Sequence, residues 1–325
     1  MSLDNISAIV VGALNTDVIG LGVHEIPKPG EHTSGEELKI LPGGKSRNIA
    51  QMMALFTGPD TVAMIGKTSR DPFNLWKLPI DALKESGVNI DYIKVLGFEE
   101  TKKMPGIALI TVDKNGNNQI CVLPGISEEF SSHDVDDALP LFEAARKNSG
   151  ILALSLELPL STAIHSIKRA NEHKLKVTLD PGGISKRENH DELLNQEIFM
   201  IKPNEHEAKI LTGVDVKDFE SAKNAANCFI QKGIKNILIT VGKDGAYLFT
   251  DSIQQHIPIP KIQMSETKDE TGCGDQTTAT LCVSLSEGKD ILESTKLAVL
   301  AGTLQFNRAG VSPITKADLH KYTVL

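Results

Sequence analysis

Six short apolar runs, at residues 8–11, 62–65, 151–156, 177–179, 199–201 and 237–240, alternate along this chain with stretches whose apolar residues recur at helical spacing. A brief apolar run bounded by turn residues reads as a buried strand. In residues 221–231, Ala222, Ala225, Ala226, Phe229 and Ile230 make one helical stripe, and Ile49, Met52, Met53 and Phe56 make another. Alternation of this kind predicts an α/β fold with a mainly parallel sheet covered by helices on both faces. A chain of 325 residues can bury a large core, and the length fits one large domain with an insertion as well as two domains. Neither a linker nor an internal repeat marks a boundary.

Two regions interrupt the rhythm. Residues 18–41 are rich in Gly and Pro with no helical stripe, and residues 106–123 read as a hairpin, IALITV and QICVL joined across the turn-rich 113–118. Together they form either a small β-sheet lid or a pair of edge excursions, and periodicity does not choose between these.

Lys and Arg number 34 against 42 Asp and Glu, a net charge of −8, with the basic residues scattered. That balance argues against a nucleic-acid partner. No apolar run approaches the ~20 residues that span a bilayer, and the opening MSLDNISAIVVG lacks the segments of a secretory signal, so a soluble, cytoplasmic protein is expected. The cysteines at 121, 228, 273 and 282 show neither CxxC spacing nor a pairing pattern, and the nine histidines form no HExxH or Cys/His cluster. Reduced thiols and no zinc site are expected.

The chemistry concentrates at DETGCGD, residues 269–275, ahead of a stretch that reads as helix to about Glu287. Small residues admit a ligand close to the backbone, and the first amides of a helix lack internal partners, so Gly272, Cys273 and Gly274 can cradle an anion. Asp275 then stands beside that anion as a candidate base; equally, an acid in a first helical turn is ordinary dipole complementation. The Cys273 thiol at a helix N-terminus is expected to be acidified. GGKSRNIA, residues 43–50, is a near miss to a P-loop, since Lys39 stands where a glycine is needed; what it offers is a close-approach glycine pair with Lys45 and Asn48. GCG likewise fails the dinucleotide fingerprint, with Thr277 at the third glycine position.

Other polar residues leave strand ends. Asn15 and Asp17 follow the first run, and Glu157 ends ILALSLE. Loops at the carboxyl ends of parallel strands are where open α/β sheets bind ligands. In KPNEHE, residues 202–207, Asn204 and Glu207 are either an N-cap with its capping-box partner or the groups that hold the waters of a hydrated Mg²⁺. Thr240, Gly242 and Gly245 in ITVGKDG are either a hairpin turn or a backbone bed for nucleotide phosphates.

These pieces in this order resemble the ribokinase-like (PfkB) carbohydrate kinase family from about Ala8 to about Pro313. GGKSRNIA is similar to its GGKGANQA-type motif, NEHE to its NxxE motif and DETGCGD to its DTTGAGD motif. The resemblance implies a single Rossmann-like domain over residues 1–325, with a β-lid formed by insertions at about 18–41 and 95–123 that frequently makes a homodimer contact. It implies ATP-dependent phosphorylation of a sugar CH₂OH, with ribose first and a nucleoside, fructose or another sugar as alternatives, and a non-catalytic sensor as a further one. Asn15, Asp17, Gly44, Lys45, Asn48 and Glu157 would hold the sugar, with Asp275 as base. Asn204 and Glu207 would organise Mg²⁺, while Thr240, Gly242, Gly245, Asn204 and Gly274 would line ATP. Asp269, Thr271, Arg308 and Gly310 match positions that bind a monovalent cation such as K⁺, largely through backbone oxygens. The chain departs from the pattern at Ser46-Arg47, Glu270, Cys273 and Thr277, which leaves the acceptor open.

Overall fold

The computed structural model describes residues 3–263, 265 and 268–323. Its main sheet has nine strands: β1 (Ala8–Val11), β4 (Val62–Ser69), β5 (Ile93–Leu96), β8 (Ile151–Ser155), β9 (Lys176–Asp180), β10 (Met200–Ile201), β11 (Ile237–Thr240), β12 (Ala246–Phe249) and β13 (Gln254–Ile257). Their order is β13-β12-β11-β10-β9-β8-β1-β4-β5. All neighbours are parallel except β11–β12 and β12–β13, which turn back antiparallel at one edge. The six apolar runs therefore became six central strands. β5, β12 and β13 were not anticipated; β5 is interrupted by Lys94, and β13 reads QQHI, without an apolar pattern.

Alternate residues of a strand face opposite sides, and β1 shows why its sequence is apolar throughout. Ile9 and Val11 join one buried cluster with Phe142, Ala163, Ile167 and Phe229, whereas Ala8 and Val10 join another with Ile49, Met52, Ala279 and Ala301. The second cluster lies under the helices Lys45–Thr57, Cys273–Ser286 and Ile291–Phe306. No helix among the described residues is long and apolar enough to cross a membrane.

Both rhythm-breaking regions fold into one separate four-stranded sheet. It consists of β2 (Asn15–Val23), β3 (Glu37–Gly43), β6 (Gly106–Asp113) and β7 (Asn118–Leu123) in the order β3-β2-β6-β7. The β6–β7 hairpin pairs Val112 with Asn118 around the turn read from the sequence. This sheet is an outgrowth of the strand ends of the main sheet: β2 begins four residues after β1, and β3 runs through Gly43 into the helix Lys45–Thr57.

Arg47 fastens that junction. The side chain is 1% exposed, and it donates through Nε to the Gly43 carbonyl at 3.3 Å, through Nη2 to the Pro42 carbonyl and through Nη1 to Gln51 Oε1. A guanidinium holds several donors in one plane, so one residue satisfies acceptors on both the strand end and the helix. Arg47→Met should lower the unfolding free energy by about 2–4 kcal/mol, since it strands the Gly43 and Pro42 carbonyls at the junction. Arg47→Lys should rescue little of this, because an ammonium lacks the planar fork; a urea midpoint equal to wild type for either variant would contradict the assignment.

Candidate active site

Two helix starts and several strand ends meet at Asp275. The helix Cys273–Ser286 begins after Gly272, whose φ of 76° turns the chain sharply into it, and Asp275 lies in its first turn at 4% exposure. From the first turn of the helix Lys45–Thr57, Asn48 Nδ2 donates to Asp275 Oδ2 at 2.7 Å, and Lys45 Nζ stands 3.6 Å from Oδ1. That second helix has Gly44 at its N-cap and so no capping side chain of its own. Glu157, just beyond β8, supplies the cap instead by accepting the Lys45 amide at 2.8 Å. A carboxylate distant in sequence thus completes the helix end and sits beside the pocket.

The lid sheet brings two further groups. A β-carbon at Gly106 would lie 2.1 Å from Asn15 Oδ1, and one at Gly43 would lie 2.0 Å from Asp17 Oδ1. Glycine at these positions therefore leaves the room that the two side chains occupy. Asn15 Oδ1, Asn48 Oδ1 and Asp275 Oδ1 are buried without a hydrogen-bond partner among the described residues. Buried acceptors are rarely left unpaired, so a cluster of them marks a place where a ligand brings donors.

On the other side stand groups that the sequence reading did not single out. Asp180, at the end of β9, pairs with Lys202 at 3.1 Å, and each side chain is 3% exposed. Thr278 Oγ1 donates to Asp180 Oδ2 at 2.6 Å, and the Gly182 amide to Oδ1 at 2.9 Å. Lys202 Nζ is the nearest atom, at 3.9 Å, to the point where a β-carbon on Gly274 would sit. A buried ammonium thus borders the proposed anion cradle. The strand-end rule that drew attention to Glu157 applies equally to Asp180 and Lys202.

Asn204 and Glu207 form the capping box of the helix Glu205–Thr212: Asn204 Oδ1 accepts from the Glu207 amide at 2.8 Å, and Glu207 Oε2 from the Asn204 amide at 2.9 Å. One carboxylate oxygen of Glu207 remains. So sparse a donor set fits Mg²⁺ only if the ion keeps its own waters and phosphate ligands. Thr240 bridges Asn204 across the β10–β11 pairing, which places the two motifs side by side. The segment after Thr240 is a hairpin turn between β11 and β12. There a β-carbon at Gly245 would come 2.2 Å from the Ile257 carbonyl, whereas Gly242 faces open space.

Two expectations at Cys273 change. Its amide donates to the Glu270 carbonyl at 3.2 Å, so the amides of Gly272 and Gly274 stay without a partner among the described residues while that of Cys273 is occupied. Its thiol is not acidified: burial, then Asp269, Glu270 and Asp275, push it up to about 12. Enclosure and surrounding carboxylates outweigh the helix end. The departures at Ser46 and Arg47 are absorbed by packing, since Ser46 Oγ is bonded to the Val11 carbonyl and Ser155 Oγ, and the Arg47 donors go to protein oxygens. Thr277 turns its hydroxyl back to the Cys273 carbonyl at 2.8 Å.

Crowded carboxylates shift one another. Burial pushes Asp17 up to about 6, against the pull of Arg47, and Asp275 adds to the rise. Burial likewise pushes Glu157 up to about 7, opposed by Lys45. Lys45 itself is held above the usual lysine range by Asp275, and burial draws Arg47 down to about 10, still protonated at neutral pH. A carboxyl whose folded pKa lies above its unfolded one favours the fold in its protonated form. Its contribution is therefore full at low pH and is lost as pH rises through about 7. Glu157→Gln, which keeps the cap acceptor but cannot ionise, should raise the unfolding temperature relative to wild type at pH 8 and not at pH 5. Parallel curves for the two proteins across that range would refute the shifted Glu157.

Comparison with known proteins places this geometry. The family model described as pfkB family carbohydrate kinase matches residues 5–317. A ribokinase of Arabidopsis thaliana is 32% identical over 311 residues, covering 94% of this chain and 77% of that one. A deoxyribokinase of Salmonella typhi is 28% identical over 291 residues, covering 90% and 89%. The solved structure of the Arabidopsis ribokinase complexed with ribose and ATP superposes with a TM-score of 0.83 at 29% identity, covering 97% of this chain and 98% of that one. The chain belongs to the pfkB family of carbohydrate kinases and is a sugar kinase of the ribokinase type.

Proposed function

We propose that the protein transfers the γ-phosphate of MgATP to the CH₂OH group of a pentose, ribose before others, giving ribose 5-phosphate. The observation that carries this reading is the set of unpartnered buried oxygens of Asn15, Asn48 and Asp275, with Lys45 beside Asp275 and Glu157 bonded to the Lys45 amide. Acceptors without donors fit a polyhydroxylated molecule. At Gly44 a β-carbon would lie 2.8 Å from the Ala13 carbonyl, so glycine there lets the helix start pack against the segment that carries Asn15. Similarity to a deoxyribokinase as well as to ribokinases makes 2-deoxyribose the acceptor to set against ribose.

Phosphoryl transfer has a loose transition state, so alignment and charge neutralisation supply most of the gain. In this reading Asp275 takes the proton from the CH₂OH through its free Oδ1, while Asn48 holds Oδ2 and so fixes the carboxylate plane. The open amides of Gly272 and Gly274 receive the transferring phosphoryl group. Lys45 and Lys202 bring positive charge to either side of it. Thr240, Gly242 and Gly245 lie along the approach of the nucleotide. Asn204 and Glu207 would hold a hydrated Mg²⁺, which supplies further charge neutralisation when bound.

We also assign a homodimer to the lid sheet. Leu41, Ile120 and Val122 on one face of it, and Leu38, Ile40 and Leu109 on the other, are each 40–65% exposed, and the first face is apolar surface of the kind that a second copy covers. Sedimentation should give twice the chain mass, and Ile120→Lys with Val122→Lys should return a monomer; a monomeric wild type at micromolar concentration rules the dimer out.

ADP release with MgATP should be fastest with ribose in a panel that includes 2-deoxyribose, fructose and nucleosides. Asp275→Asn should lower kcat by about 10²-fold or more with folding intact. Sugar binding with no ADP release from any acceptor would make the protein a sensor rather than an enzyme, and near-normal turnover by Asp275→Asn would remove Asp275 as the base.

A further inference from the structure

Two of the backbone oxygens that resemblance assigns to a monovalent cation, those of Thr271 and Gly310, are already engaged by the protein. Gln305, near the end of the helix Ile291–Phe306, is fully buried, and its Nε2 donates to the Thr271 carbonyl at 3.2 Å and to the Gly310 carbonyl at 2.6 Å. A primary amide has two N–H bonds, one for each oxygen. The Asp269 carboxylate is equally occupied, with Oδ1 accepting the Thr271 amide and Oδ2 the Gly310 amide, both at 2.8 Å. The Arg308 guanidinium points elsewhere, to the Pro313 carbonyl at 2.8 Å and to Asp318 at 3.0 Å. Monovalent cations of this kind are bound by several oxygens converging on one point. Here the converging atoms meet an N–H₂ group, and the donor set does not fit K⁺.

We propose that Gln305 is a built-in replacement for the monovalent cation, drawing the Thr271 and Gly310 loops together beside the phosphate cradle, so that the enzyme works without K⁺. Gln305 is a positioning residue: it is fully buried, and it acts through Thr271, which directly precedes Gly272. The amide orientation follows from chemistry, since turning it over would set Oε1 against two carbonyl oxygens. Oε1 has no partner among the described residues. It is also the atom that a bound cation would draw inward, which gives the rival outcome a distinct structure.

The test compares wild type with Gln305→Ala in KCl and in choline chloride at equal ionic strength, and soaks crystals of both with Rb⁺ to read anomalous scattering. Wild-type turnover should agree between the two salts within about twofold, and Gln305→Ala should become K⁺-activated by about fivefold or more, the usual scale of coupling between sites. An anomalous peak between the Thr271 and Gly310 carbonyls should be present in Gln305→Ala and absent from wild type. A peak in wild type with the Gln305 amide turned over, or activation of wild type by K⁺, overturns the proposal. So does the lack of a peak in both proteins, since the carbonyls would then form no cation site for the amide to replace. The activity arm rests on the kinase reading, whereas the scattering arm is read equally well from a protein that turns over no sugar.

Discussion

Everything near the crevice depends on Asp275 being held by one oxygen and left open at the other. Asn48 takes Oδ2, and Lys45 approaches Oδ1 only to 3.6 Å, so that the second oxygen lacks a hydrogen-bond partner inside the protein. This requires two helix N-termini to meet at one point, and the packing of the helix Lys45–Thr57 against the helix Cys273–Ser286 over a common apolar cluster arranges it. Met52 and Ala279, with no chemistry of their own, belong to that cluster and sit on the two helices that carry Asn48 and Asp275.

The electrostatics of the crevice carry a cost in stability. Asp17, Glu157, Asp180, Glu207 and Asp275 gather with Lys45, Arg47 and Lys202 in one partly enclosed region. Burial raises Asp17, Glu157 and Glu207, whereas Asp180, although buried, is held below the usual carboxylate range chiefly by Lys202, then by Lys45. Carboxylates forced together in this way disfavour the fold when ionised, and the large core beneath the sheet offsets the penalty. The same crowding leaves the Cys273 thiol inert although it stands at a helix end.

The proposed phosphate cradle has its own supports. Gly272 and Gly274 keep their amides open, while Cys273 spends its amide on Glu270 and Thr277 spends its hydroxyl on the Cys273 carbonyl. Behind this turn, Gln305 joins Thr271 to Gly310 through neutral hydrogen bonds. A neutral amide orders the loops but adds no full positive charge, which leaves Lys202 and Lys45 as the cations bordering the cradle.

The parallel sheet was legible because buried strands with both faces covered must be apolar throughout, and the lid hairpin because IALITV and QICVL flank turn residues. DETGCGD, GGKSRNIA and NEHE were legible because close backbone approach and helix starts need particular small and polar residues at fixed local spacing. Local rules did not reach contacts between distant segments. Glu157 capping a helix 112 residues away, Lys202 facing Gly274, Arg47 fastening the smaller sheet and Gln305 joining Thr271 to Gly310 all depend on which loops the sheet order brings together. Sequence alone determined the layered α/β class and pointed to the residues proposed for the chemistry, since these follow from periodicity and backbone requirements within a few positions. Only the tertiary structure decided which donors are spent and which stay open, because hydrogen-bond saturation is a property of neighbours in space.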